Sequence, residues 1–90
     1  MRVLIVDDHP IVASGCRALL AGDAGISILE AADAESGERV FVAEKPDVSV
    51  LDINLPTVSG FELARRILAH TASARLIMFS MNDDPVFAAR

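Results

Sequence analysis

Short apolar runs alternate with longer amphipathic segments along the 90 residues of this chain. The runs cover residues 2–6, 26–31, 48–51 and 75–79, and their length and β-branched residues predict four strands. Between the runs, apolar residues recur at the three- and four-residue spacing of a helix. The resulting order, β-α-β-α-β-α-β-α, predicts an α/β fold with a parallel sheet, helices on both faces and right-handed crossovers.

Capping signals predict where each helix begins. An N-cap side chain accepts a hydrogen bond from an N–H group that lacks a partner in the first turn. A proline at the first helical position has no N–H group that would need a partner. These signals are His9-Pro10, Asp33, Ser59 with Glu62 in the spacing of a capping box, and Asp84-Pro85. Gly22 is the predicted C-terminal cap of the first helix.

Helical spacing also predicts which side chains face the sheet. The predicted sets are Val12, Cys16, Leu19 and Leu20 in the first helix, and Phe61, Ala64, Ile67 and Leu68 in the third. Cys16 is therefore interpreted as a small core residue rather than a reactive thiol. Met78 and Met81 are likewise interpreted as packing residues.

Polar side chains stand where three of the apolar runs end. Asp7 and Asp8 follow the first strand, Asp52 follows the third and Ser80 follows the fourth. A strand-terminal aspartate that only caps a loop would explain one such ending, but coincidence explains three poorly. Ligands bind at the carboxyl ends of the strands in open α/β sheets. The strand order 2-1-3-4 would bring Asp7, Asp8 and Asp52 close together at that edge.

A group of carboxylates of this kind predicts metal-assisted phosphoryl chemistry. Ionisation of one carboxylate opposes ionisation of the next, and a hard divalent cation such as Mg²⁺ removes the repulsion. A carboxylate oxygen beside the ion can then attack a phosphoryl group in line and form an aspartyl phosphate. The hydroxyl of Ser80 would donate a hydrogen bond to a phosphate oxygen.

Composition and charge narrow the class further. Ninety residues are enough for one domain, and the net charge of −5 argues against binding of nucleic acid or an anionic membrane by this chain. The single cysteine fits a reducing compartment. The sequence has neither an apolar run of transmembrane length nor a signal-peptide pattern. We therefore expect a cytoplasmic location.

The residues that carry this site also resemble a known family. The chain resembles the receiver domain of bacterial two-component response regulators, and most of all those that carry a LuxR-type helix-turn-helix output domain. The matching motifs are Val3-Leu4-Ile5-Val6 followed by Asp7-Asp8-His9-Pro10, Leu51-Asp52-Ile53-Asn54-Leu55-Pro56 with Gly60, and Phe79-Ser80. The resemblance implies a CheY-like (flavodoxin-like) doubly wound sheet in the order 2-1-3-4.

The resemblance also implies roles for individual residues. Asp52 would be the phosphoacceptor, with a sensor histidine kinase as donor, and Ser80 would be the switch hydroxyl. Asp8, Asp52 and the backbone carbonyl of Asn54 would bind Mg²⁺ directly, and Asp7 through water. The chain would then be a signalling domain with self-catalysed phosphoryl acceptance at most, and it would reach DNA only through an output domain that the sequence does not contain.

The chain departs from the family pattern at its end. The family has a fifth strand with a lysine, a switch aromatic residue and a fifth helix, and the sequence stops before all three. Lys45, the one lysine, precedes the third strand and cannot take that role. We expect residues 1–90 to be a receiver domain truncated within the fourth helix. We also expect self-association through the edge of the fourth strand or through the sheet face left uncovered.

Two other functions stay open from the residues alone. One is a small Mg²⁺-dependent phosphohydrolase with Asp52 as nucleophile, although Asn54 occupies the place where such enzymes carry a general acid. The other is a protein-interaction module that works without phosphorylation. His9 is interpreted as a helix-entry residue that faces solvent rather than one that tunes the site. Asn82 is a weak candidate for directing the water that hydrolyses the phosphoryl group.

Overall fold

A parallel sheet with three helices forms the part of the protein that the structure, a computed structural model, describes, residues 1–80. The strands are β1 (Arg2–Val6), β2 (Ser27–Ala31), β3 (Val48–Asp52) and β4 (Leu76–Phe79). The helices are α1 (Pro10–Leu20), α2 (Ala34–Glu44) and α3 (Gly60–His70). The predicted fourth helix at Asp84-Pro85, and with it Met81 and Asn82, lies outside the described residues.

The sheet has the order β2-β1-β3-β4, and each of its three pairings is parallel. The predicted order 2-1-3-4 and the predicted flavodoxin-like fold are therefore confirmed. The two central strands are the most apolar, and β2, which is less apolar, lies at one edge as its composition suggests. Within residues 1–80 no helix has the length and apolar character needed to cross a bilayer.

The core lies between the sheet and the pair α2 and α3. Alternate residues of the central strands, among them Leu4 and Leu51, are fully buried there against Leu63 and Ile67 of α3. Each such side chain contributes roughly 1.5–3 kcal/mol by leaving water. This face therefore supplies most of the apolar stabilisation and holds β1 and β3 side by side.

The predicted sheet-facing side of α3 is partly wrong. The helix buries Gly60, Leu63 and Ile67, whereas Phe61 is 58% exposed and Leu68 is 42% exposed. The reason lies at Gly60, whose backbone is pressed against the end of β3 and fixes the rotation of the helix. Residues one position away are turned by about 100°, which places Phe61 and Leu68 toward solvent.

The predicted packing of α1 needs a similar correction. Val12, Cys16 and Leu20 are half-buried, but Leu19 is 86% exposed and the helix has no fully buried residue. Leu19 lies about 100° around the helix from its neighbour Leu20, so the two cannot face the sheet together. The helix also ends without the predicted glycine cap: Ala21 is the C-cap in a right-handed conformation, and Gly22 does not have a positive φ.

Candidate functional site

Two neighbouring strands bring the predicted carboxylates to one edge of the sheet. Val6 of β1 pairs with Leu51 of β3, so Asp7 and Asp52 emerge side by side. Both are buried, whereas Asp8 is exposed. With His9, these residues can each offer one ligand atom, and the four atoms lie within 4.8 Å of one another. We call Asp7, Asp8, His9 and Asp52 the acidic cluster.

The buried carboxylates of the acidic cluster are only half satisfied. Asp52 Oδ1 accepts a hydrogen bond from the backbone N–H of Asn54 (2.9 Å), and Asp7 Oδ1 accepts one from the backbone N–H of His9 (2.6 Å). The other oxygen of each carboxylate, Oδ2, is buried without a hydrogen-bond partner in residues 1–80. Buried anionic oxygens are costly unless they are paired or bind a cation. An all-oxygen set of this kind fits a hard divalent cation such as Mg²⁺.

The imidazole of His9 points into the acidic cluster. Its Nδ1 lies 2.7 Å from Asp7 Oδ1, 3.0 Å from Asp8 Oδ1 and 3.6 Å from Asp52 Oδ2. The hydrogen bond with Asp7 is the main cause that raises the pKa of His9 above its usual value, and the charges of all three aspartates add to it. As interpreted from the sequence, His9 stands at the N-cap of α1 and is exposed, with 50% of its side chain accessible, but its Nδ1 also contacts the acidic cluster.

A signal for this orientation was present in the sequence. Pro10 fixes the first turn of α1, which puts His9 at the N-cap with an extended backbone (φ −103°, ψ 107°) and no capping hydrogen bond from its side chain. An N-cap that does not cap its own helix leaves its side chain available to a neighbour. The two aspartates directly before it are the nearest acceptors, so Asp-Asp-His-Pro suggested a local contact.

Ser80 is linked to the site through Asn54. The side-chain amide of Asn54 donates a hydrogen bond to Ser80 Oγ (2.9 Å), and the backbone N–H of Ile53 donates to the carbonyl of Phe79 (2.8 Å). These bonds tie the loop after β3 to the end of β4. The resemblance implied a role for the backbone carbonyl of Asn54 and not for its side chain, because a side-chain contact between residues 26 apart depends on loop conformation that the sequence pattern does not specify.

The loop after β3 holds Asp52 by a close backbone contact. A Cβ at Gly60 would overlap the carbonyl oxygen of Asp52 and lie 2.8 Å from the carbonyl carbon. The N–H of Gly60 donates to the carbonyl of Ile53 (2.9 Å). Thr57 in the same loop has a positive φ of 71°, which is unfavourable for a β-branched residue. The Leu-Pro-x-x-x-Gly spacing therefore reflects a loop that only glycine can close at its last position.

Several other charged groups pair with one another within or between helices. Glu62 of α3 pairs with Arg65 and Arg66 in its own helix, and Glu38 of α2 pairs with His70 of α3. Lys45 is the C-cap of α2, before the start of β3, and thus stands at the opposite end of that strand from Asp52. Its position agrees with the expectation that it cannot act at the site.

The amino-acid sequence of the chain matches a family model and several curated proteins. The family model of the response regulator receiver domain matches residues 3–90. The transcriptional regulatory protein DegU of Brevibacillus brevis is 33% identical over 87 residues, a match that covers 93% of this chain and 36% of DegU. Among such relatives the chain spans about two fifths of the full length.

Solved structures have the same fold. A two-component response regulator of the LuxR family from Aurantimonas sp. SI85-9A1 superposes with a TM-score of 0.83 at 38% identity, covering 98% of this chain and 64% of that one. The response regulator protein TrrA from Thermotoga maritima, in complex with Mg²⁺-BeF, gives a TM-score of 0.83 at 29% identity. That match covers 91% of this chain and 70% of TrrA.

Proposed function

We propose that this chain, which belongs to the response regulator receiver domain family, accepts a phosphoryl group on Asp52 from a sensor histidine kinase. Receiver domains are signalling domains rather than conventional enzymes. The observation that carries the proposal is the state of Asp52. Its side chain is fully buried at the end of β3, next to Asp7, and its Oδ2 has no hydrogen-bond partner in the described part. An oxygen without a hydrogen-bond partner keeps its lone pairs for attack on phosphorus.

The geometry around Asp52 supports a defined transfer step. The N–H of Asn54 holds Oδ1, which leaves Oδ2 as the attacking atom. Oδ2 forms a bond to phosphorus while the phosphorus–nitrogen bond of the donor phosphohistidine breaks, and the imidazole leaves with the electron pair and takes a proton. The acceptor becomes an acyl phosphate, and no oxidant or second substrate is required.

The metal ligands in this proposal are the remaining oxygens of the site. Receiver domains bind Mg²⁺ at an acidic pocket, and here Asp8, Asp52 and the backbone carbonyl of Asn54 would hold the ion directly, with Asp7 acting through water. When bound, the ion neutralises charge on the transferring phosphoryl oxygens. Asp7, Asp8 and Asp52 each offer a carboxylate oxygen that lies within 4.8 Å of the others, which supports this assignment.

Ser80 is proposed as the switch hydroxyl. In the unphosphorylated structure Ser80 Oγ accepts a hydrogen bond from the Asn54 amide. After phosphorylation the hydroxyl would donate to a phosphoryl oxygen, and the loop after β3 would rearrange with it. Ser80→Ala should leave phosphorylation intact and remove the loop response. Amide chemical shifts of residues 53–60, recorded with and without a phosphoryl analogue, measure it, and a full response in the variant would refute the role.

The chain is further proposed to act as the receiver domain of a longer cytoplasmic regulator, since it spans about two fifths of the length of its relatives. DNA would be bound by an output domain, which the similarity to a LuxR-family regulator and to DegU supports. Self-association stays a prediction. In residues 1–80 β4 pairs with β3 alone, and Ile77 is 55% exposed, so the strand offers an apolar edge to a second copy.

The test is incubation with acetyl phosphate and Mg²⁺, followed by intact-mass measurement and an assay for released phosphate. The chain should gain one lasting phosphoryl group, Asp52→Asn should gain none, and the exposed control Asp23→Asn should behave like the unchanged chain. Continuous release of phosphate would indicate a phosphohydrolase, and neither adduct nor release would indicate an interaction module. Undiminished labelling of Asp52→Asn would contradict the assignment.

A further inference from the structure

The position of His9 adds a ligand type that the all-oxygen site does not have. Its Nδ1 lies 2.7–3.6 Å from one carboxylate oxygen of each of the three aspartates. Two ligands that are adjacent in an octahedron of about 2.1 Å bonds are separated by about 3.0 Å. The separations of the nitrogen from the three carboxylate oxygens are close to this spacing of adjacent ligands.

The second observation concerns the buried oxygens of the aspartates. Asp52 Oδ2 and Asp7 Oδ2 are buried, and they have no hydrogen-bond partner in the part of the chain that the structure describes. Asp52 Oδ2 lies within 3.6 Å of His9 Nδ1, so it points into the space that the imidazole borders. A buried carboxylate oxygen in this state needs an explanation, and a bound cation is one that the acidic cluster fits.

We infer that His9 Nδ1 is a direct nitrogen ligand of the divalent ion held by the acidic cluster, and that it shifts the preference of the site from Mg²⁺ toward Mn²⁺ and Ni²⁺. Binding breaks the hydrogen bond from Nδ1 to Asp7 Oδ1 and releases the Nδ1 proton to solvent, because only a deprotonated nitrogen can bind a metal. The inference rests on the metal site of the proposed function. Mg²⁺ prefers oxygen ligands, whereas imidazole favours the later divalent metals. A site with the carboxylates of Asp8 and Asp52 and one imidazole as direct ligands is therefore suited to a transition-metal ion.

The rival interpretation is that the His9 imidazolium acts as a resident cation that any metal must displace. The two interpretations predict opposite effects of removing the ring. A displaced cation hinders every divalent ion to a similar extent, so His9→Ala would strengthen the binding of all of them. A ligand helps the ions that prefer nitrogen, so His9→Ala would weaken the binding of Ni²⁺ and Mn²⁺ and change the binding of Mg²⁺ little.

The first experiment is calorimetric titration of the untagged chain with Mg²⁺, Mn²⁺ and Ni²⁺. We expect His9→Ala and His9→Gln to lower the ratio of Ni²⁺ to Mg²⁺ affinity by at least about tenfold. The matched control is His70→Ala, because His70 is the only other histidine of the chain and pairs with Glu38 on the far side. It should leave the ratio unchanged. Equal strengthening of all three ions in both His9 variants would overturn the inference.

The second experiment detects the nitrogen directly. Pulsed electron paramagnetic resonance of bound Mn²⁺ should show coupling to a ¹⁴N nucleus in the unchanged chain and in His70→Ala, and should not show it in His9→Ala. Binding of Mn²⁺ without that coupling in the unchanged chain would overturn the inference. If the coupling is absent but Asp52 is still phosphorylated in the presence of Mg²⁺, the proposed function holds and only the inference about His9 fails. Absence of binding by every ion would overturn both.

Discussion

Ile67 of α3 and Asp52 at the end of β3 are both fully buried. Ile67 packs on the sheet face covered by α2 and α3. Asp52 lies at the carboxyl edge of the sheet, where some buried oxygens have no partner in the described residues. On the face covered by α2 and α3, apolar side chains pack against one another and the exposed charges pair. At the carboxyl edge, Asp7 and Asp52 are withdrawn from water with one oxygen each lacking a partner among residues 1–80. Burial therefore stabilises the folded state in the first region and destabilises it in the second.

The difference separates the residues that make the fold from those that make the site. Each buried apolar side chain stabilises the folded state by roughly 1.5–3 kcal/mol, whereas an unpaired buried carboxylate destabilises it. The packed face therefore supports an edge that would be unstable alone. Substitutions that weaken the first region should lower stability, and substitutions that neutralise the second should raise it while they remove function.

The largest effect is expected in the packed face. Ile67→Ala removes a fully buried side chain and leaves a cavity between α3 and the sheet, so it should lower the free energy of unfolding by about 2–5 kcal/mol. Leu68→Ala, at the adjacent and partly exposed position, should lower it by about 1 kcal/mol or less. Urea unfolding followed by circular dichroism measures both. Equal losses would mean that α3 is rotated from the orientation described.

The second prediction concerns the carboxyl edge. Without metal, Asp52→Asn should raise the free energy of unfolding by on the order of 1 kcal/mol, because it removes a buried charge while its amide oxygen can still accept from Asn54. Asp8→Asn should raise it less, since the Asp8 side chain is 39% exposed. Mg²⁺ should then raise the melting temperature of the unchanged chain and not that of Asp52→Asn. A destabilised Asn variant would contradict the proposed imbalance.

The elements that follow from local sequence were predicted well. Asp33 is the N-cap of α2, as its residue type and position suggested, and Pro10 begins α1. The capping box itself was assigned to the wrong helix. Asp33 and Ser36 exchange both hydrogen bonds, whereas at α3 the Ser59 hydroxyl accepts from the N–H of Glu62 and the Glu62 side chain binds arginines instead.

Features that depend on the detailed geometry of contacts distant in sequence could not be predicted. The rotation of α3 is set by the backbone of Gly60 against the end of β3, and periodicity alone does not contain that contact. The bond between Asn54 and Ser80 likewise depends on the conformation of the loop after β3, which the predicted strand order does not specify. The grouping of Asp7 with Asp52 did follow from the sequence, because strand order and the ends of apolar runs determine it.

The third prediction compares backbone strain in the two regions. Thr57 in the loop at the carboxyl edge and Lys45 at the end of α2 both have positive φ, 71° and 48°. Thr57→Gly and Lys45→Gly should each raise the free energy of unfolding by roughly 0.5–1 kcal/mol, because glycine adopts this region without steric cost.

The matched control for backbone strain is Ala21→Gly. Ala21 is also a helix C-cap, but its backbone has the right-handed helical conformation. Glycine there should therefore lower the free energy of unfolding by a few tenths to about 1 kcal/mol. Thermal unfolding of the three variants gives the order. A loss of stability in Thr57→Gly would mean that the Thr57 side chain contributes more to the loop than its backbone costs.

The smallest effect is expected from the paired charges of the packed face. The hydrogen bond from Arg65, followed by that from Arg66, lowers the pKa of Glu62 from 4.5 to about 2 in the folded chain. Because the folded pKa lies below the unfolded one, the ionised pair stabilises the fold fully above pH 4.5 and loses this contribution as the pH falls toward 2.

Glu62→Gln should therefore flatten the pH dependence of the melting temperature within that window and change little at neutral pH. Glu35→Gln, an exposed glutamate in the first turn of α2, is the matched control and should keep the slope. The exposed Arg65 limits the size of the effect through solvent screening, and added salt should reduce it further. An unchanged slope in Glu62→Gln would mean that, in solution, Arg65 and Arg66 do not form lasting ion pairs with Glu62. The stability of this face would then come from its apolar contacts alone.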